Sequence, residues 1–239
     1  VKAGTYKPTD GTDRTISFQL KEGVEIYGGF AGNETELSQR NWLKNPTILS
    51  GDIGETENAV DNSYHVIKAV GSLSDLITNK TIFDGFIVEE GYADGTYSNN
   101  NCGAGLYLTG ASPLIRNTWF RKNNATASGG AVFGIYSASP VFGNVVFTDN
   151  TTSVNSGGAV CSYGSMQYYN CLFYNNHSNQ SGGAIYDISK EGKVINSIAW
   201  NNNSRYAPVQ FDGVSVSNSL VQGGHKGDGN IDEDPLFFD

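Results

Sequence analysis

Residues 144–160 read NVVFTDNTTSVNSGGAV, and this pattern recurs along the chain. An Asn is followed by a Phe after three residues and by a second Asn after six, and the stretch ends on Gly-Gly-Ala and an aliphatic residue. The Gly-Gly-Ala core begins at Gly129, Gly157 and Gly182, and residues 102–106 hold a degenerate copy. Such a period predicts coils that stack on one another, because a coil this short cannot bury its own apolar face.

Two series of asparagines repeat in phase with the glycines. The first series has these five members: Asn117, Asn144, Asn170, Asn196 and Asn218. The second lies six residues further along in four coils: Asn123, Asn150, Asn176 and Asn202. Because stacked Asn side chains can pass amide hydrogen bonds from one level to the next, both series are predicted to be structural ladders.

The segments between these markers are short β-rich runs bounded by Gly and Asn, without the apolar spacing of helices. We therefore predict an all-β fold, a parallel β-solenoid of roughly eight or nine coils and about 40 Å in length. The whole chain, 1–239, is expected to form one domain. Irregular coils span residues 1–78 with a long excursion at 33–46, regular coils span 79–221, and a closing segment spans 222–239.

The pattern Asn-x-x-Phe-x-x-Asn followed by Gly-Gly-Ala resembles right-handed parallel β-helix proteins of the pectin-lyase-like superfamily. Within it, the pattern is similar to bacterial surface and secreted proteins with polymorphic-outer-membrane-protein-like repeats. Residues 26–32, 47–52 and 84–86 are similar to that family too, and residues 229–237 resemble the segment that precedes an anchor region. The resemblance implies a right-handed parallel β-helix and an extracellular or cell-surface location. It leaves function open, because this fold carries lyases, hydrolases, adhesins and structural proteins.

The charge and composition exclude some classes of partner. The chain has 15 Lys and Arg against 24 Asp and Glu, a formal net charge of −9, so no basic patch could neutralise the phosphates of a nucleic acid. No apolar run approaches membrane-spanning length, and we expect no membrane insertion of this segment. The three cysteines lack CxxC spacing, which disfavours a thiolate metal site and leaves a disulfide between Cys161 and Cys171 open.

Charged residues are sparse in the regular coils, and no pair of them recurs in adjacent coils as a catalytic cluster would. A glycosidase needs two carboxylates at the glycosidic bond, and a lyase needs a base beside the uronate. The histidines, His65, His177 and His225, are scattered. We therefore assign no catalytic residue and expect a protein that is not an enzyme, with a polysaccharide lyase or glycoside hydrolase of the β-helix type as the alternative.

One segment near the C-terminus has the spacing of a calcium loop. Oxygen-bearing side chains alternate at Asp228, Asn230, Asp232 and Asp234, next to Gly229. Ca²⁺ takes several oxygen ligands in flexible geometry, so a structural calcium ion is the one cofactor that the sequence suggests. The alternative is an Asx-rich turn that caps the rod.

An aromatic column is a candidate ligand-binding surface. Next to the aliphatic residue that follows Gly-Gly-Ala lie Tyr107, Phe133 and Tyr186, with Cys161 at the same position of a further coil. If the aliphatic residues face inward, the aromatic rings face outward and form a strip for sugar stacking. A row that is covered by a neighbouring loop, or that points inward, is the alternative.

A second column lies between the first Asn series and the Phe series, and it is apolar throughout: Trp119, Val146, Leu172, Ile198 and Leu220. If Phe120 and its equivalents fill the interior, this column forms a stripe on the outside of the rod. Contiguous exposed apolar stripes mark interfaces. We predict that the stripe packs against another chain, another domain or a flanking segment.

These features favour a non-catalytic, extracellular β-helix repeat protein for cell-surface display, adhesion or structural assembly. Self-association into fibres is a related outcome, because the end coils of a solenoid expose unpaired strand edges. The predicted partners are a cell-surface or matrix glycan, or other copies of the chain.

Overall fold

The computed structural model describes residues 1–56, 58–72, 74–96, 99–206 and 209–237. Short strands form four sheets in which neighbouring strands are parallel, and the predicted right-handed parallel β-helix is confirmed. We number the sheets 1 to 4 in the order in which one coil of the chain passes through them.

Sheets 1 and 2 are joined by two-residue turns in the regular coils. Sheet 1 has seven strands: Glu25–Tyr27, Ile82–Asp84, Leu114–Arg116, Val141–Gly143, Gln167–Tyr169, Gly192–Ile195 and Val214–Ser217. Sheet 2 has eight strands: Gly4–Tyr6, Thr47–Ser50, Ile87–Glu89, Trp119–Arg121, Val146–Thr148, Leu172–Tyr174, Ile198–Trp200 and Leu220–Val221.

Sheets 3 and 4 complete each coil. Sheet 3 has five two-residue strands: Tyr92–Ala93, Asn124–Ala125, Thr151–Thr152, His177–Ser178 and Asn203–Ser204. Sheet 4 has seven strands: Phe18–Gln19, Ile67–Val70, Leu106–Thr109, Val132–Ile135, Val160–Ser162, Ile185–Asp187 and Phe211–Asp212. Two short 3-10 helices, Leu37–Gln39 and Ala59–Asp61, lie outside the sheets.

The interior is filled by rings that stack from coil to coil. Phe120, Phe147 and Phe173 are fully buried, with successive ring centroids 5.4 and 4.8 Å apart and nearly parallel planes. From sheet 1, Phe142 and Tyr168 stack at 5.1 Å in the same way. The parallel register places equivalent positions next to each other, so identical rings can stack in successive coils.

The inner asparagine ladder is confirmed, and all four of its members are buried. Asn123, Asn150 and Asn176 each donate through Nδ2 to Oδ1 of the next member, at 2.7–3.1 Å, and to a main-chain carbonyl of an earlier coil. Gly91 donates its N–H to Asn123 at one end of the ladder, and Gln210 accepts from Asn202 at the other. Because the amides satisfy buried main-chain groups at this corner, the ladder fixes the coil spacing.

The outer series, which begins at Asn117, lies at the surface and forms the turns between sheets 1 and 2. Its residues have φ angles of 48–55°, a left-handed conformation that Asn tolerates. Side-chain bonds join only some neighbours, such as Asn144 to Asn117 at 3.3 Å. A further surface series, which we did not predict, links Asn175 to Asp149 and Asn201 to Asn175.

The irregular first third belongs to the same rod, since residues 1–78 supply strands to sheets 1, 2 and 4. The excursion at 33–46 leaves the rod and returns at Thr47. At the other end, Ile231 pairs with Leu220 in a parallel bridge and starts a further coil. The last two residues of the predicted closing segment lie outside the described residues.

The three cysteines are free and buried, so the disulfide that the sequence left open does not form. Cys171 belongs to the interior of the rod, whereas Cys161 packs with Tyr107 and Phe133 on the other side of sheet 4. Burial raises the pKa of both thiols to about 12, which keeps them protonated and unreactive.

Within the described residues, no helix has the length and apolar character needed to cross a membrane.

Candidate functional site

The predicted apolar stripe lies on the outer face of sheet 2. Trp119, Val146 and Leu172 are paired in register and half-buried, and Ile198 and Leu220 continue the row. The Phe that follows each of these three residues along its strand is fully buried, as the alternation of side chains in a strand requires. The same register adds three residues that the sequence reading missed: Ile48, Ile87 and Ile231. The missing Asn and Phe markers in their coils hid them.

Part of the stripe lines a groove of about 470 Å³. Trp42, Leu43 and Pro46 of the excursion line it together with sheet 2, which contributes Ile87, Trp119, Val146 and Leu172. Leu43 is 75% exposed although it lines this groove. The sequence predicted the excursion but not its contribution to this surface.

A buried carboxylate holds the excursion against the rod. Arg40 donates to Asp84 at 2.6 Å, and its guanidinium lies 5.2 Å from the centre of the Tyr27 ring. Asp84 is 1% exposed, pairs with Arg116 at 3.1 Å and accepts a hydrogen bond from Asn117. Two cations and an amide offset the cost of burying the carboxylate, so the position of the excursion is fixed.

Polar contacts hold the Trp119 side chain in place. Its Nε1–H donates to Thr148 Oγ1 at 2.7 Å, and the Arg121 guanidinium lies 4.7 Å from its ring centre. Arg121 in turn pairs with Glu89 at 2.5 Å. None of the described residues that line the groove has a titratable side chain. The groove is therefore a preformed apolar contact surface without acid or base groups.

The aromatic column is covered, which corrects the expectation of an open strip. Tyr107 and Phe133 are buried, and only Tyr186 is half-buried. The backbone of Gly103 lies so close to Phe133 that a Cβ on Gly103 would be 2.8 Å from the Phe133 nitrogen. Tyr107 packs 5.0 Å from the His65 ring, and burial raises the pKa of its hydroxyl. This placement matches the alternative that the sequence left open, a row covered by a neighbouring part of the chain.

The residues of the predicted calcium loop accept hydrogen bonds from backbone N–H groups. Asn230 Oδ1 accepts a hydrogen bond from the Ser219 N–H at 3.1 Å, and Asp232 and Asp234 each accept one from a backbone N–H at 3.0 and 2.9 Å. Asp228 accepts through its main-chain carbonyl. This arrangement suits the capping turn, and calcium binding here stays a prediction. Among the described residues, no group of three or more His, Cys, Asp or Glu side chains is arranged to hold a metal ion.

Comparison with known families gives one match. The repeat of the Chlamydia polymorphic membrane proteins matches residues 170–187, the coil that runs from Asn170 through Asn176 to the Gly182 core. No curated protein and no solved structure matches the chain. The repeat match and the parallel sheets together support a β-helix repeat protein, and the match suggests an outer-membrane or surface protein family.

Proposed function

We propose that the chain is a surface-displayed structural protein that assembles side by side with a second copy through the outer face of sheet 2. The observation that carries the proposal is the apolar stripe, which runs along sheet 2 from Ile48 to Leu220 and deepens into the groove beside Leu43. Display at the cell surface is supported by the repeat match.

The same face carries both a projection and a recess, which favours another copy as the partner. Leu43 projects next to a groove that Val146 and Leu172 line. A two-fold axis across this face places Leu43 of each copy against the groove of the other, in the self-complementary arrangement of most homodimers.

The length of the rod suits such an interface. The eight strands of sheet 2, with seven spacings between them, span about 34 Å. A stable interface buries about 800 Å² on each partner, and the strands of sheet 2, which are two to four residues long, make a strip only about 10 Å wide. The excursion and the turns beside sheet 2 therefore supply the rest of the proposed contact area.

A glycan fits this face less well. Sugar hydroxyls need hydrogen-bond partners when they lose water, and the groove is lined mainly by Trp, Leu, Ile, Val and Pro side chains. The predicted glycan partner and the adhesive role therefore lack support from the groove, and the covered Tyr107 and Phe133 rings do not supply a second strip.

Cysteine cross-linking between two variants tests the proposed contact. The three native thiols are buried, so a Leu43→Cys chain mixed with a Val146→Cys chain reports on the new positions alone. We expect a mixed disulfide dimer under mild oxidation. As a matched control, Leu43→Cys is mixed with Val154→Cys, an exposed position outside sheet 2. Equal yields from the two mixtures would contradict the proposal.

Display is tested separately on intact cells that produce the full protein. We expect an added protease or antibody to reach the chain without lysis, and a chain that is reached only after lysis would contradict this part of the proposal.

The alternative, a β-helix polysaccharide lyase or glycosidase, predicts unsaturated products or reducing ends when the purified chain is mixed with uronic polysaccharides. Such products would overturn the structural role.

A further inference from the structure

We propose that a divalent cation of the calcium class binds in a polar cleft where the chain passes from sheet 2 towards sheet 3, held by Asp52, Asn62 and Glu90. The cleft has a volume of about 410 Å³ and is also lined by Tyr92 and Lys122, among others. It lies apart from the apolar groove, with which it shares no lining residue. The proposal is independent of side-by-side assembly.

Hydrogen bonds bring the three residues together from three segments of the chain. The Ser50 hydroxyl donates to Glu90 Oε2 at 2.9 Å and accepts from the Asp52 N–H at 3.1 Å. Asn62 donates through Nδ2 to the Glu90 carbonyl at 2.7 Å. Gly51 permits this close approach, since a Cβ there would lie 2.6 Å from the Glu90 carbonyl oxygen. The side chains of Asp52, Asn62 and Glu90 therefore share one cleft.

Several oxygen atoms in this cleft are buried without a hydrogen-bond partner. Asn62 is only 6% exposed, and its Oδ1 accepts no hydrogen bond. The same holds for Asp52 Oδ1, and for Asn124 Oδ1 on the lining of the same cleft. An unsatisfied buried polar atom costs about 1–3 kcal/mol. Since carboxylate and amide oxygens only accept, the missing partner is a donor or a cation.

The oxygen atoms of the cleft, rather than its charge, favour a cation, because Lys7 and Lys122 balance the two carboxylates. Lys7 lies 3.2 Å from Asp52 Oδ2 and leaves the other carboxylate oxygen free, whereas the second carboxylate, Glu90, is held by the Ser50 hydroxyl. Ca²⁺ binds carboxylate, amide, carbonyl and water oxygens in flexible geometry, so two carboxylates and one amide suffice with water. Mg²⁺ demands a near-ideal octahedron and gives up water reluctantly, which suits an irregular cleft less well.

Calorimetric titration of chelator-treated chain with CaCl₂ tests the proposal. We expect one bound Ca²⁺ per chain and a rise in melting temperature. The isosteric variant Asp52→Asn should bind at least tenfold more weakly. The control Asp232→Asn removes a carboxylate from the C-terminal loop instead and should bind like the wild type. Absence of binding by the wild type, or a loss confined to Asp232→Asn, would overturn the proposal.

Terbium luminescence locates the ion on the native chain and does not depend on how Asp52→Asn folds. Tb³⁺ replaces Ca²⁺ and emits when a nearby tyrosine is excited, and Tyr92 lines the cleft. We expect emission that added Ca²⁺ suppresses, and that falls in Tyr92→Phe although the calorimetric affinity is unchanged. Unchanged emission in Tyr92→Phe would place the ion elsewhere and overturn the assignment.

Discussion

Asn150 and Asn176 meet in adjacent coils, where Nδ2 of Asn150 donates to Oδ1 of Asn176 at 2.9 Å. The same Nδ2 donates to the Phe120 carbonyl, and Asn176 Oδ1 also accepts from the Asn150 N–H. Both side chains are almost completely buried. Each amide therefore satisfies main-chain groups of two coils, and an acceptor-only side chain cannot replace it.

Asn150→Asp should destabilise the rod strongly. The change removes the Nδ2 donor and sets a carboxylate against two buried oxygens, the Phe120 carbonyl and Asn176 Oδ1. We expect a loss of about 3 kcal/mol or more, measured as a lower urea midpoint. Asn144→Asp is the matched control on the exposed outer series, and it should cost less than about 0.5 kcal/mol. Equal effects of the two changes would contradict the difference between the ladders.

Gly158→Ala should disturb the stacking of the Gly-Gly-Ala turns. A Cβ on Gly158 would lie 2.1 Å from the Gly183 carbonyl oxygen, which belongs to the backbone of the next coil and cannot move aside cheaply. We expect a lower melting temperature. At Gly143 the nearest atom to an added Cβ is the Arg116 Cγ, 3.8 Å away, so Gly143→Ala should leave it within a few degrees. A harmless Gly158→Ala would show that the coils are not packed this closely.

Asp84→Asn should release the excursion from the rod. The variant loses the charge that Arg40 and Arg116 share and leaves two cations around a neutral buried amide. Breaking a buried ion pair costs about 3–5 kcal/mol, and we expect protease cleavage within the excursion to accelerate. Asp149→Asn, at an exposed position, serves as the control. Wild-type cleavage rates in Asp84→Asn would contradict a role of Asp84 in holding the excursion.

The stability of the chain should fall between pH 6.5 and pH 4 because of His65. Burial lowers the pKa of its imidazole to about 4, and the Gly103 and Asn99 carbonyls, which favour the charged form, oppose this only in part. Below pH 6.5 the unfolded chain therefore takes up a proton that the folded chain does not. The stability contributed by neutral His65 is fully present above pH 6.5 and declines by about 3 kcal/mol towards pH 4.

Urea unfolding at a series of pH values checks this prediction. His65→Gln should flatten the decline, whereas His177→Gln, which changes an exposed histidine, should retain it. Identical pH profiles for His65→Gln and the wild type would contradict the assignment.

The repeat made most of the rod predictable, because in a parallel β-helix each sequence column becomes a physical column. The Phe120 stack and the Asn123 ladder follow from this relation, and so does the outward position of Trp119. In the coil before Asn123, Gly91 occupies the position of a ladder Asn, so the Asn repeat did not reveal this coil. The position of Leu43 depends on the contact between Arg40 and Asp84, 44 residues apart, which no repeat reveals.

The covered aromatic row shows a second limit of the sequence pattern. Alternation along the strand turned Tyr107 and Phe133 away from the rod interior, but it carried no information on the Gly103 turn that lies against Phe133. The local alternation of a strand decides on which side of the sheet a residue lies, whereas its exposure depends on how neighbouring turns pack.

Sedimentation velocity over a range of concentrations tests the central claim, self-association through the outer face of sheet 2, most directly. We predict that the wild-type chain converts from monomer to dimer with rising concentration and that Val146→Glu, which places a charge on the stripe, stays monomeric. Val154→Glu, at a 47% exposed valine outside sheet 2, should behave like the wild type. A wild type that remains monomeric throughout, or a Val146→Glu chain that associates equally well, would contradict the claim.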